Sequence, residues 1–155
     1  MEELKNIKVA LLGSGTVGTG VYKLIERQRE ELPHKVGAGL TVSKVLVRDK
    51  IKKREGIDPS VLTDQWEDII TDDEIQIVVE VMGGIEPART YITEALQAGK
   101  NVVTANKDLM AVHGGELLDI ASHNGCDLLF EASVAGGIPI IRPLKQCLAG
   151  NYISE

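Results

Sequence analysis

A short apolar run, Ile7 to Leu12, ends in Gly13-Ser14-Gly15-Thr16-Val17-Gly18, and directly beyond it Val17, Val21, Leu24 and Ile25 recur three or four residues apart. That change of period marks a strand, a tight turn and a helix. Each glycine answers a separate demand: Gly13 permits the sharp turn, Gly15 lets backbone approach a phosphate with no Cβ between, and Gly18 lets helix pack closely on strand. A helix started this way offers free N–H groups and positive potential to a diphosphate. Gly13, Gly15, Thr16, Val17 and Gly18 are therefore candidate cofactor-binding residues. In isolation the G-x-G-x-x-G spacing also fits an ordinary glycine-rich turn, and its place between strand and helix is what favours a dinucleotide.

The rest of the chain repeats the alternation. The far end of the first helix is polar, and Pro33, Gly37 and Gly39 break it before a second β-rich run, Thr41 to Val47. Residues 49–63 are charged and irregular, and Trp66 to Ile70 reads as a helical turn. From Ile75 to Met82 every residue but Gln76 and Glu80 is apolar, a run too continuous for a half-exposed strand and suited to one buried on both faces. Pro87 suits a helix first turn, Ala88, Ile92, Ala95 and Leu96 form a helical stripe, and Gly99 closes it. Asn101 to Thr104 is the next strand, Gly114-Gly115 reads as a turn, Glu116 to Asn124 as a helix and Asp127 to Phe130 as a strand. A final helix is expected from Pro139 to Leu148, ending at Gly150. Short connections between alternating strands and helices predict an α/β fold: a Rossmann-type, doubly wound parallel sheet forming a single domain, residues 1–150. In such a fold ligands collect at the carboxyl ends of the strands, near the point where strand order reverses.

The totals narrow the function. A chain of 155 residues, 43% hydrophobic and 26% charged, suits one compact domain. Its net charge of −6 lacks the basic face that nucleic acid or an anionic membrane needs, and aromatic residues make up only 3%, too few for a base-stacking surface. No apolar run is long enough to span a membrane, and the N-terminal residues lack the pattern of a secretory leader, so a cytoplasmic location is expected. Cys126 and Cys147 stand in apolar stretches without CxxC spacing or histidine partners and read as buried thiols.

The end of the second strand usually distinguishes the two nicotinamide cofactors, because an acidic residue there accepts from the ribose 2′-OH while an arginine accommodates a 2′-phosphate. Here it reads Val47-Arg48-Asp49-Lys50. Arg48, with Lys50, Lys52, Lys53 and Arg54 behind it, favours NADP; Asp49 keeps NAD open. The lysines beyond Lys50 equally suit a solvated loop. Arg48 also stands farther from Gly18 than is usual for this position, which a longer first crossover explains.

Three later loops are more specific: Val81-Met82-Gly83-Gly84 with Pro87-Ala88, then Gly99-Lys100-Asn101-Val102-Val103-Thr104-Ala105-Asn106-Lys107, then Glu131-Ala132-Ser133-Val134-Ala135-Gly136-Gly137-Ile138-Pro139. In order, spacing and content they closely resemble homoserine dehydrogenase, and the resemblance runs along almost the whole chain. It implies hydride transfer between a nicotinamide and L-aspartate 4-semialdehyde or L-homoserine, in the route to threonine and methionine. It also implies a small-molecule substrate and a homo-oligomeric full-length enzyme. Gly83, Thr104 and Lys107 join the cofactor-binding candidates. Lys107 is the catalytic candidate, since its ammonium stands where proton transfer must accompany hydride movement; without the family it would read as a surface lysine at a helix start.

By the same resemblance, Glu131 with backbone at Val134, Gly136 and Ile138 holds a monovalent cation, conventionally Na+, a hard ion matched to oxygen ligands. A carboxylate ending a buried strand needs a partner in any case. Capping the N–H groups of the following helix is the alternative.

The family builds its substrate pocket from a second domain, and residues 151–155 are expected to begin the linker to it, so nucleotide binding without turnover is the expectation for this chain. Two rivals stay open. Semialdehyde dehydrogenases and dipicolinate reductases share the fold but need a reactive cysteine or a histidine-rich loop, for which Cys126, Cys147, His113 and His123 are not placed. A free-standing nucleotide-sensing module is the other.

Overall fold

The structure, a computed structural model, describes residues 5–147 and residue 150. Its strands are β1 (Asn6–Leu12), β2 (Gly39–Leu46), β3 (Leu62–Thr63), β4 (Ile75–Glu80), β5 (Asn101–Thr104) and β6 (Leu128–Leu129). All pair in parallel, in the order β3-β2-β1-β4-β5-β6. The helices are α1 (Thr16–Arg27), α2 (Leu32–Val36), α3 (Glu67–Ile70), α4 (Ala88–Gln97) and α5 (Lys107–His123).

The pleat of β1 explains why both faces are covered. Ala10 and Leu12 point into one apolar cluster with Val78, Ile92, Leu96, Val102, Leu109 and Leu117, contributed by the sheet, α4 and α5. Val9 and Leu11 point into the other, with Tyr22 of α1 and Val42 and Val45 of β2. Successive strand residues face opposite ways, so an unbroken apolar run demands a helix on either side. Each fully buried leucine contributes roughly 1.5–3 kcal/mol. The doubly wound α/β architecture expected from the sequence is the one observed.

From β1 the chain moves outward to β2 and β3, then returns past β1 to β4. The reversal therefore lies between β1 and β4, where Gly13 follows one strand and Val81 the other.

Several local readings are corrected. Gly114 and Gly115 do not form a turn but lie inside α5, which runs unbroken from Lys107 to His123. Two interior glycines cost on the order of 1 kcal/mol each; the Asn106 cap and the burial of Leu109, Leu117 and Ala121 outweigh them. The supposed irregular stretch 49–63 ends in β3, a two-residue edge strand paired with Val45 and Leu46. The polar segment before Gly37 contains α2, stopped by Gly37 at φ 75°. Past Glu131 the helical backbone begins at Ile141, with Pro143 in its first turn, and takes π-type bonding over Pro143–Cys147. The expected end of that helix at Leu148, and the linker at 151–155, lie outside the described residues. The thiols are not both buried either: Cys126 is half-buried and Cys147 exposed.

Candidate functional site

Gly13 takes φ +107°, a conformation that L side chains rarely adopt, and a Cβ there would press on the Val81 carbonyl and on Met82. Its N–H donates to the Leu46 carbonyl at 3.0 Å. One residue thus ties the ends of β1, β2 and β4 together. A Cβ on Gly18 would fall 2.2 Å from the Gly13 carbonyl oxygen, whereas one on Gly15 would meet nothing within 4 Å. The first and third glycines are required by the protein's own packing; the second faces open space.

Helix α1 begins without any side-chain cap, with Gly15 as its boundary residue. Thr16 and Val17 are exposed beside it. Orphan N–H groups and the positive end of the helix dipole consequently face solvent at the switch point, an arrangement suited to an anion. Helix α5 is built differently, because Asn106 Oδ1 accepts the Leu109 N–H and closes its first turn.

Arg48 is exposed two residues past Leu46, the residue whose carbonyl holds Gly13. Its basic neighbours are partly committed. Lys50 pairs with Asp64 at 3.1 Å. Arg54 donates from Nε to Ser14 Oγ at 2.5 Å and from Nη1 to the carbonyls of Asp49 and Lys52, folding this loop onto the glycine turn.

At the carboxyl ends of β4 and β5 lies a buried polar circuit. Glu80, wholly buried, accepts the N–H groups of Met82 (2.8 Å) and Gly83 (3.2 Å) on Oε1 and the Thr104 hydroxyl (2.6 Å) on Oε2. Thr104 Oγ1 in turn accepts the Asn106 N–H at 3.1 Å, and Asn106 Nδ2 donates to the Gly84 carbonyl at 2.5 Å. Ser133 Oγ donates to the Thr104 carbonyl at 2.9 Å, which fastens the segment after β6 to the same place. Gly83 is exposed at the loop tip, with its φ at +75°. Thr104 is fully buried and its hydroxyl is spent inside the circuit, so it serves the loop from beneath.

Lys107, exposed, opens α5 and stands at the edge of a cleft of about 500 Å³ that Met110, Gly114, Phe130 and Val134 help to line. Glu131 uses both carboxylate oxygens: Oε1 accepts the N–H groups of Ile140 and Ile141, Oε2 that of Arg142 at 2.8 Å. Burial pushes its carboxyl pKa up, but the three amides and the Arg142 charge outweigh burial and hold it below the ordinary value. The helix-capping role weighed for Glu131 is thus what the geometry presents. Nearby, Ala135 and Gly136 both have left-handed backbone, φ 56° and 58°, curling the chain from Val134 to Ile138. The carbonyls of Val134, Gly136 and Ile138 accept no backbone hydrogen bond among the described residues. No group of three or more His, Cys, Asp or Glu side chains is placed to hold a metal among those residues either.

The sequence of residues 13–131 matches the family described as homoserine dehydrogenase, NAD binding domain. The chain belongs to that family. The homoserine dehydrogenase of Bacillus subtilis strain 168 is 52% identical over 153 residues, which cover 98% of this chain and 35% of that protein. The crystal structure of a homoserine dehydrogenase from Thiobacillus denitrificans superposes with a TM-score of 0.89 at 42% identity, over 97% of this chain and 35% of that one. A hyperthermophilic archaeal homoserine dehydrogenase, solved in complex with NADPH, gives 0.72 at 26% identity, over 90% and 48%. The chain spans about a third of the length of the curated relatives it matches.

The site residues that the sequence motifs did not single out are Glu80, Asn106 and Ser133. Glu80 carried a signal: a carboxylate inside a run buried on both faces requires donors. Which donors it finds depends on β5 lying next to β4. Asn106 was detectable as a cap residue directly before a helix. Ser133 carried no local signal. No helix among the described residues is long and apolar enough to cross a membrane.

Proposed function

We propose that residues 1–150 form the domain with which a homoserine dehydrogenase holds its nicotinamide cofactor, residues 151–155 beginning the link to a substrate domain. The enzyme's reaction on this reading is the NADP-dependent interconversion of L-homoserine and L-aspartate 4-semialdehyde, with NAD as the alternative cofactor. A homo-oligomeric enzyme of threonine and methionine biosynthesis acting on a small-molecule substrate, carried over from the resemblance, and a cytoplasmic location, expected from the sequence, complete the reading. One observation carries it: the uncapped start of α1, behind Gly13, Gly15 and Gly18, at the reversal between β1 and β4. On this reading Thr16 and Val17 supply amides to the diphosphate, and Gly83, at the exposed tip of the loop after β4, approaches the same cofactor.

A bound nicotinamide supplies or accepts the hydride. Residues of this chain orient the cofactor and manage charge around it. Arg48 supports NADP over NAD, because its exposed guanidinium, without a hydrogen bond among the described residues, follows the strand whose end holds the glycine turn, and a 2′-phosphate is matched by that planar donor fork. The NADPH named for the archaeal relative supports the same choice. Lys107, at the cleft edge, offers an ammonium to the substrate oxygen whose proton must be gained or lost alongside the hydride.

The residues around Glu131 fit a monovalent cation such as Na+. Three amides leave one of the carboxylate's roughly four lone-pair positions open. The backbone carbonyls of Val134, Gly136 and Ile138 complete an all-oxygen donor set.

Titration of the 15N-labelled protein with NADPH tests the central reading. The largest shifts are expected at the amides of Gly15 to Gly18; saturating NADPH that leaves these unmoved would overturn it.

A further inference from the structure

Glu80 poses a chemical question. Among the described residues no cation lies within ion-pair distance of it, yet it is wholly buried. A carboxylate in such a place is expensive unless strongly hydrogen-bonded, and an apolar side chain of similar size would fill the space at less cost. What a carboxylate provides here and a carboxamide does not is an acceptor oxygen on both sides. Here one oxygen receives the loop that follows β4 and the other receives β5. A glutamine would turn an NH2 toward one of them.

The consequence runs past Thr104. Its hydroxyl donates to Glu80, which leaves the oxygen's lone pair for the Asn106 N–H; Asn106 then grips Gly84 with one end of its amide and starts α5 with the other. The circuit closes on the loop where it began. Its two outputs are the exposed tip at Gly83 and the first residue of α5, Lys107.

We propose that Glu80 is the positioning residue of the nucleotide site: its buried carboxylate locks the loop after β4 and the start of α5 into one register. Gly83 and Lys107 thereby face the same ligand. Glu80 touches no ligand itself and acts through Thr104 and Asn106. The functional part of this inference rests on the dinucleotide reading above; the structural coupling does not.

The test compares wild type with Glu80→Gln, Thr104→Val and the double variant, reading melting temperature, 15N amide shifts without ligand, and NADPH affinity. In Glu80→Gln a buried donor loses its acceptor, so the melting temperature falls while the protein stays folded at the temperature of the binding measurement. The amides of Asn106 and Lys107, neither hydrogen-bonded to residue 80 among the described residues, are displaced in the ligand-free protein. NADPH binding weakens on the order of tenfold, and the double variant is no worse than the poorer single one, as expected for one network. A folded Glu80→Gln that binds NADPH within about twofold of wild type, the scatter of independent sites, with Asn106 and Lys107 unmoved, overturns the proposal. So does an affinity loss wholly explained by the unfolded fraction. If wild type itself binds no NADPH, the dinucleotide reading fails while the amide shifts still decide the coupling.

Discussion

Gly18 sits directly on the carbonyl of Gly13, so close that a Cβ would lie 2.2 Å from its oxygen, while Gly15 between them faces open space. Two glycines of one motif should therefore fail in different ways. Gly18→Ala forces backbone apart and is expected to cost roughly 1–3 kcal/mol, seen as a lower melting temperature. Gly15→Ala should leave stability within about 0.5 kcal/mol and abolish NADPH binding, because only the incoming diphosphate meets the new methyl. Equal stability losses in both variants would contradict the assignment.

Arg48 is exposed and makes no hydrogen bond among the described residues, so its replacement should read out on the ligand alone. A charge-assisted bond to a 2′-phosphate is worth about 1.5–3 kcal/mol. Calorimetry of Arg48→Ala should show NADPH weakened on the order of tenfold to a hundredfold and NADH unaffected. Matching losses for both cofactors would remove Arg48 from that role.

Inside α5 the two adjacent glycines differ in surroundings. A Cβ on Gly115 meets nothing within 4 Å, while one on Gly114 comes 3.1 Å from Met110 Cε. Gly115→Ala should stabilise by about 0.5–1 kcal/mol by restricting the unfolded chain. Gly114→Ala should gain less, since the end of Met110 must move. Thermal denaturation of the pair checks the order.

Glu131 has its carboxyl held low: burial raises it, and the amides of Arg142, Ile141 and Ile140 with the Arg142 charge outweigh burial. A depressed folded-state pKa contributes stability that is fully present above the ordinary value of 4.5 and is lost as pH falls through its own lower value. An NMR titration should place the Glu131 midpoint below 4.5, with the amides of Ile140 and Ile141 following it. In Glu131→Gln that acid-side transition disappears. A midpoint at or above the ordinary value would mean the amides do not hold the carboxylate.

Much of the fold was legible. The strands at Ile7 to Leu12 and Ile75 to Met82 declared themselves because burial on both faces leaves an unbroken apolar run, and Gly99 marked a helix end. The reading failed where local and tertiary preferences compete. Gly114-Gly115 resembled a turn, and the Asn106 cap with the packing of Leu109, Leu117 and Ala121 into the core carries the helix through. The edge strand Leu62–Thr63 has too few residues for any period, and exists because β2 has an open side. Within the site, Gly13 and Gly18 were readable as packing necessities. Glu80, Asn106 and Ser133 were passed over, because their importance lies in partners 22 to 29 residues away.

By itself the amino-acid order determined the alternation of strands and helices, the doubly wound class, and the uncapped helix start poised for an anion. Those follow from side-chain period and backbone stereochemistry, which act over a few neighbouring residues. Tertiary structure alone decided that Glu80, Thr104, Asn106 and Ser133 share one circuit, and that Glu131 turns toward the amides of Ile140, Ile141 and Arg142. Hydrogen bonds in a buried place depend on which chain ends the sheet brings within about 3 Å, and strand order is a property of the whole core.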